Sequence, residues 1–498
     1  MIKLNKTINN ILFGIIYQIS NVLLNFIMTP IIIRTFGSGT NGLIQTIRQV
    51  INYVQFVGSG IAESAVVSLY EPIHFSNYQK VNSILNAVNQ TFNKSGILFS
   101  LISIFLAAFC PLFLNSDLNY FDTFLLFIIL SSVGVSEFFI IGKYRALLIA
   151  DQKIYVVHII QTLALLLSLA LMYLFSLLGF SVIIVQLGIT LGYISRIILI
   201  IIYIKRHYKY LDTKVPGDNE ALNKRKSATI HQLAGIVTFG SQIVIVNLFL
   251  GSQEASVYSV YSLIFTGINT ILGVFSSSLL ALFGNLIVSN DREKTIKVFK
   301  YYENLYYLLV FVLYSVTVIM TRSFIELYVG FSRDVNYQRT DLIVLFAIMG
   351  ILNCVRTPGA TIINASGHYS ETQNRAVTEL LICITGQLFL VHYWGINGIV
   401  VATILAYLYR SVDVIIYSNK IIFSNFIDTF ITILLDASIM IILVLCTLTN
   451  YELSITNFQF WFLTSIIFAV IYFMIFLLLN VGFKISLYKE IYFRFLRK

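Results

Sequence analysis

Two stretches of this sequence place anion-binding and hydroxyl-binding groups among apolar residues. In the first, Gln45, Arg48, Gln49, Asn52, Gln55, Ser59 and Glu63 recur at intervals of three and four. At about 100° per residue they share one helix face, an arc of roughly 120°. A guanidinium grips phosphate oxygens two at a time, and the Gln and Asn carboxamides both donate to and accept from sugar hydroxyls. The second stretch is Asn353-Cys354-Val355-Arg356-Thr357-Pro358-Gly359. There Asn353, Arg356, Thr357 and Asn364 share a face, and Pro358 removes a backbone donor and interrupts the helix. Arg48 and Arg356 are thus candidates to contact an anion, with Gln45, Gln49, Asn52, Gln55, Asn269 and Asn353 as candidate polar contacts to the rest of a substrate. The competing use of the two Arg is pairing with Glu63, Glu137 or Glu379. Asp436 and Glu137 are the acids placed to carry a coupling ion. This is binding chemistry: no phosphate loop, nucleophile elbow or His-Glu-x-x-His occurs, and Cys110, Cys354, Cys383 and Cys446 stand singly, so no cofactor or metal site is expected.

These residues must be held by membrane helices. Of the 498 residues, 58% are hydrophobic and 11% charged, with mean hydropathy +0.84; a soluble domain carries about 25% charged residues. A cytosolic enzyme is excluded. Apolar runs long enough to cross a bilayer of about 30 Å recur throughout. They predict spans over 8–33, 41–68, 95–115, 121–142, 155–177, 181–204, 228–250, 258–286, 304–321, 341–364, 374–393, 395–418, 427–448 and 458–482. Hydrocarbon offers backbone groups no water to bond, so the spans are helices. The fold class is therefore an all-α polytopic membrane protein of about fourteen transmembrane helices.

With an even number of spans both termini lie on one side. Four Arg (48, 196, 356 and 410) lie inside spans and four (34, 322, 333 and 339) in outer connections; the other 25 of the 33 Lys and Arg fall in inner connections or at their edges if both termini are cytoplasmic. That asymmetry is the positive-inside pattern. The net charge of +10 reports topology and attraction to anionic lipid heads, and nothing points to nucleic acid. The expected organisation is an N-terminal six-helix lobe over 1–204, a basic cytoplasmic loop over 205–227, a C-terminal six-helix lobe over 228–420, and a terminal helix pair with a basic tail over 421–498.

The lobes read as copies displaced by about 214 residues. Phe36-Gly37-Ser38 aligns with Leu250-Gly251-Ser252, Gly179 with Gly395, and Arg196 with Arg410. Six helices per copy give both the same membrane orientation, hence a pseudo-two-fold along the membrane normal. The polar face of helix two is echoed in helix eight by Ser259, Ser262, Thr266, Asn269, Gly273 and Ser277, with Leu263 the one exception, and helices one and seven carry stripes of their own. Packing alone would explain small residues, worth about 0.6–2 kcal/mol per hydrogen bond. A row of Gln45, Arg48, Gln49, Asn52 and Gln55 calls for a wet cavity. Arg196 and Arg410 are placed to snorkel, and Arg410 has Asp413 at i+3.

Several short segments carry a resemblance: Arg34-Thr35-Phe36-Gly37, Gly42-Leu43, Gly58-Ser59-Gly60-Ile61, Arg145-Ala146-Leu147-Leu148-Ile149-Ala150-Asp151-Gln152, Tyr258-Ser259 and Ala365-Ser366-Gly367. By their order and spacing the chain resembles the polysaccharide transport family, the Wzx-type flippases, within the superfamily that also holds MATE multidrug exporters and lipid II flippases. The resemblance implies alternating access by two lobes, moving an undecaprenyl-diphosphate-linked oligosaccharide across a bacterial plasma membrane for O-antigen, capsule or other surface polysaccharide. Membrane lipids are implied partners, with a polysaccharide polymerase and glycosyltransferases as neighbours. Two other readings stay open. A cation-coupled exporter of drugs or metabolites is disfavoured because residues 8–33 lack the acid that MATE exporters typically use. A membrane-embedded enzyme acting on a polyprenyl-linked glycan lacks a large outer loop bearing acids.

Overall fold

The computed structural model describes residues 2–58, 61–212, 215–218, 226–289, 291–450 and 455–483. Among them all regular secondary structure is helical. In order the helices are α1 (Ile2–Gln55), α2 (Ile61–His74), α3 (Tyr78–Phe109), α4 (Tyr120–Ser136), α5 (Gly142–Ala150), α6 (Ile154–Leu177), α7 (Val182–Ile194), α8 (Arg196–His207), α9 (Lys226–Leu250), α10 (Ser252–Val288), α11 (Arg292–Val329), α12 (Thr340–Val355), α13 (Thr357–Ala365), α14 (Tyr369–Ile422), α15 (Phe426–Asn450) and α16 (Phe458–Phe483).

Eleven stretches among the described residues are long and apolar enough to cross a membrane. Two of them, of 48 and 52 residues, hold two spans each because α1 bends at Gly37 and α14 at Gly395. The φ/ψ of 85°/166° at Gly37 and 56°/−132° at Gly395 lie where a Cβ is strained, so only glycine turns the chain there cheaply. With the shorter apolar segment Gly235–Leu250, the fourteen-span plan is accounted for.

The copies expected from sequence leave a mark in the backbone. Residues with positive φ recur at Gly37 and Gly251, Gln152 and Gly367, and Gly179 and Gly395, that is, 214, 215 and 216 residues apart. Each pair turns the chain at the same step of its six-helix copy.

Four spans are interrupted. Helix two, expected unbroken over 41–68, stops at Gln55; a 3-10 turn covers Phe56–Gly58 and α2 restarts at Ile61. The Phe138 ring lies so close to Gly58 that a Cβ there would fall 2.2 Å from it. The continuous polar face therefore ends at Gln55, and Ser59 and the Glu63 side chain lie outside the described residues. A π-helical turn, Glu137–Ile141, separates α4 from α5; such turns mark functional sites more often than ordinary helix does. The sixth span breaks at Ser195, placing Arg196 at the start of α8. The tenth breaks at Arg356, with Pro358 in the first turn of α13 as its missing N–H allows.

The chain divides into two compact units, Met1–Ser259 and Val260–Lys498, so the division falls inside α10. Compactness groups α9 with the first unit, whereas the internal repeat groups it with the second. In the first unit the α6–α7 hairpin packs on α1 and α4. The helices meet through small residues: Gly192 abuts Ser168, whose Oγ donates to the Ile189 carbonyl at 2.9 Å. In the second unit α11 is central, with α12, α13, α15 and α16 packed around it. Its Tyr302, Tyr306, Tyr307, Phe311 and Tyr314 form a buried aromatic column.

Candidate functional site

The polar face of α1 begins at Asn41 and Gly42, which share the helix side of Gln45 and Arg48 and pack on α10. Gly42 lies against the α10 backbone, where a Cβ would fall 1.8 Å from the Ser252 carbonyl oxygen. Asn41 Nδ2 donates to Ser256 Oγ at 2.7 Å and to Ser259 Oγ at 3.2 Å. Leu43, Ile44, Ile47 and Ile51 are buried in the core. Helical geometry then turns Gln45, Arg48, Gln49, Asn52 and Gln55 away from that core. Asn52 is exposed and the other four are half-buried. Gln49 packs on α9 at Gly240 and Gln55 on α4 at Gly134.

Among the described residues none of the five makes a hydrogen bond or ion pair, and none of their polar atoms is sealed from solvent. Membrane proteins normally satisfy such groups within the bundle. An open row of one guanidinium and four carboxamides is what a polar, anionic ligand needs.

Close to it lies a second cationic group. Arg145 Nη1 is 3.0 Å from Glu137 Oε1, and Arg196 Nη2 is 3.4 Å from Glu137 Oε2. Tyr193 is within electrostatic reach of both Arg48 and Arg196, and Tyr17 feels Arg145, Arg196 and Glu137. Arg145 and Arg196 thus share the single carboxylate of Glu137, and among the described residues Arg48 is linked to Arg196 only through Tyr193, which feels both their charges. Glu137, a candidate for a coupling ion, is instead spent on two guanidinium groups. Arg145 was not singled out from sequence. The readable signal is its separation of eight from Glu137, about two helical turns on one face, which the π turn adjusts.

The second unit treats its Arg differently. Arg356 Nη1 donates to Glu379 Oε1 at 2.6 Å, its Nη2 to Asn353 Oδ1 at 2.8 Å, and its guanidinium sits 4.7 Å from the Tyr407 ring centre. Arg410 reaches Glu379 Oε2 at 3.6 Å and donates to Asp413 Oδ2 at 2.7 Å. Arg375 donates to the other Asp413 oxygen. In place of an open anion contact, Arg356 thus belongs to a closed network with Asn353, because an unpaired guanidinium buried this deeply would carry a large desolvation cost. Asn269 also turns inward, its Oδ1 accepting from Tyr314 Oη at 3.0 Å and from Cys354 Sγ at 3.0 Å. Asp436 is buried and accepts from Asn480 Nδ2 at 2.9 Å.

The segment after α5 fastens one end of the first unit. Asp151 accepts from Tyr208 Oη at 2.6 Å and lies 2.7 Å from Lys153 Nζ and 3.5 Å from Lys6 Nζ. Burial alone would raise this carboxyl, but the hydrogen bonds from Lys153 and Tyr208 and the charges of Lys153 and Lys6 hold it below the usual carboxylate range. The same partnership, after burial, pushes the Tyr208 phenol well up. Asn10 ties α1 to this segment by donating to the Gln152 carbonyl and accepting from the Tyr155 amide, each at 3.0 Å.

No family model matches the sequence, and no curated protein sequence matches it. Solved structures do. The chain is similar to a MATE-family multidrug resistance transporter of the MOP superfamily in an inward-facing conformation, with TM-score 0.66 and 12% identity over 80% of this chain and 94% of that one. It is also similar to the lipid II flippase MurJ in an inward closed conformation, with TM-score 0.63 and 17% identity over 95% of this chain and 100% of the other. An outward-facing MATE transporter follows at TM-score 0.59 and 12% identity, over 83% and 95%. The fold is the MATE and MurJ fold. What the MurJ match leaves out of this chain is shorter than α15 and α16 together, of 25 and 26 residues, so the match includes part of the terminal helix pair.

Proposed function

We propose that this protein is a flippase for a polyprenyl-diphosphate-linked oligosaccharide in a bacterial plasma membrane, with both termini cytoplasmic and working by alternating access. The observation that carries the reading is the open face of α1. Among the described residues Arg48 and four carboxamides make no hydrogen bond or ion pair, and two further Arg of the same unit share one acid. The diphosphate would meet Arg48 first and compete with Glu137 for Arg145 and Arg196, while Gln45, Gln49 and Asn52 would take sugar hydroxyls. Likeness to a lipid II flippase over 95% of the chain supports a lipid-linked substrate, and the polyprenyl tail would remain in lipid. Polysaccharide polymerase and glycosyltransferases acting on the same carrier would be its neighbours.

The experiment is depletion of the protein in its host, with analysis of lipid-linked saccharides. The expected result is accumulation of one polyprenyl-diphosphate saccharide at the cytoplasmic face and loss of the matching surface polysaccharide. A second reading, a cation-coupled exporter, is favoured by the likeness to MATE transporters at TM-score 0.66. Altered susceptibility to cationic compounds on depletion, with no lipid-linked saccharide accumulating, would select it instead.

A further inference from the structure

One buried carboxyl in the second unit has no cation to balance it. Glu303 of α11 is buried, and both its oxygens lie 3.1 Å from Thr429 Oγ1 of α15. Among the described residues it makes no ion pair. The charged groups nearest it are Lys300 on α11 and Asp428 on α15, and they are spent on each other at 2.6 Å. The phenols of Tyr302 and Tyr307 are its other titratable neighbours. Thr429 is joined to α14 through Asn419 Nδ2 at 3.4 Å. From α12 comes the Val355 carbonyl, while the adjacent Arg356 is turned to Glu379 and Asn353.

The hydrogen count is decisive. Tyr307 Oη lies 3.1 Å from the Val355 carbonyl oxygen and 3.4 Å from Glu303 Oε1. One phenolic hydrogen cannot serve two acceptors in full. If Glu303 carries its own hydrogen, it donates to Tyr307 Oη while Tyr307 donates to Val355, and both contacts are satisfied. If Glu303 is ionised, it draws the Tyr307 hydrogen toward itself and weakens the bond to Val355, the last residue of α12 before the break at Arg356 and Pro358. An isolated carboxylate in so dry a place would in any case take up a proton rather than stay charged.

We propose that Glu303 is a proton-binding site, and that its occupancy sets the hydrogen bond from Tyr307 to the α12–α13 break. The proton comes from water at the end of α11 that bears Lys294, Lys297 and Lys300, where Asp428, adjacent in sequence to Thr429, is half exposed. It adds to a Glu303 oxygen and returns to water on release, with no other bond made or broken. The site holds a proton whatever the transported substrate is.

Infrared difference spectroscopy of the purified full-length protein, titrated with alkali in sodium-free buffer, tests this. At neutral pH the wild type should show the carbonyl stretch of a protonated buried carboxyl, and E303Q should lose it. Thr429→Val, which removes a hydroxyl that favours the ionised form, should move the loss of the band to higher pH by about one unit. This second variant keeps the test valid if E303Q is poorly folded. A band unchanged in E303Q, or an alkaline midpoint unmoved in T429V, would overturn the proposal. Disappearance of the band on adding sodium chloride at constant pH would also overturn it, making the site a sodium ligand.

Discussion

Each compact unit builds an Arg–Glu–Arg bridge, and the two bridges differ in what they leave available. In the first, Glu137 joins Arg145 and Arg196; in the second, Glu379 joins Arg356 and Arg410. Arg196 and Arg410 occupy matching places in the repeat, whereas Arg356 stands three residues before Gly359, the position that matches Arg145. The acids do not match, since Glu137 comes from the π turn after α4 and Glu379 from α14. The side chains of the first bridge are 35%, 22% and 14% exposed for Arg145, Glu137 and Arg196, against 13%, 9% and 7% for Arg356, Glu379 and Arg410. Asp413 and Arg375 close the second network, while Arg48 of the first unit makes no ion pair among the described residues. The second bridge is the more buried and the more fully neutralised of the two, and the first is the more exposed.

Removing the acids should separate the two most sharply. Glu379→Ala leaves two deeply buried guanidinium groups short of a counter-charge and should cost about 3–5 kcal/mol, read as a large drop in thermal stability of the purified protein. Glu137→Gln removes the acid of the more exposed bridge and should cost less, about 1–3 kcal/mol. The same variant should bind a polyprenyl diphosphate more tightly than wild type, because it removes the competing carboxylate; equal losses of stability in both variants would erase the distinction. The smallest effect concerns Asp151. Its carboxyl is depressed in the folded state, so its stabilisation is complete above the unfolded value of about 3.9 and fades as pH falls through the lower folded value. Asp151→Asn should therefore be less stable than wild type at pH 7, and the difference should close in strong acid, as followed by thermal melts across pH.

Much of the fold was legible in the sequence because hydrophobic length and glycine placement determine it: the fourteen spans, the bends at Gly37 and Gly395 and the break at Pro358 are local consequences of composition. The break at Phe56–Gly58 was not, since it depends on the Phe138 ring arriving from another helix. At the site, the direction of the α1 polar face was legible from spacing, as was the Arg410–Asp413 pair at i+3. The partners of Arg145, Arg196 and Arg356 were not, because acids on other helices at large sequence separation carry no periodic signal. Arg48 and Arg356 look alike as single residues in apolar runs, and only tertiary packing makes one open and the other closed.

Equilibrium binding of a polyprenyl diphosphate to the purified protein in nanodiscs, for wild type and Arg48→Ala, bears most directly on the role of the open face. Loss of charge-assisted bonds worth about 1.5–3 kcal/mol predicts a dissociation constant about 10- to 100-fold weaker in Arg48→Ala, with thermal stability unchanged. Wild-type affinity in a folded Arg48→Ala protein would contradict a role for this face in holding the diphosphate.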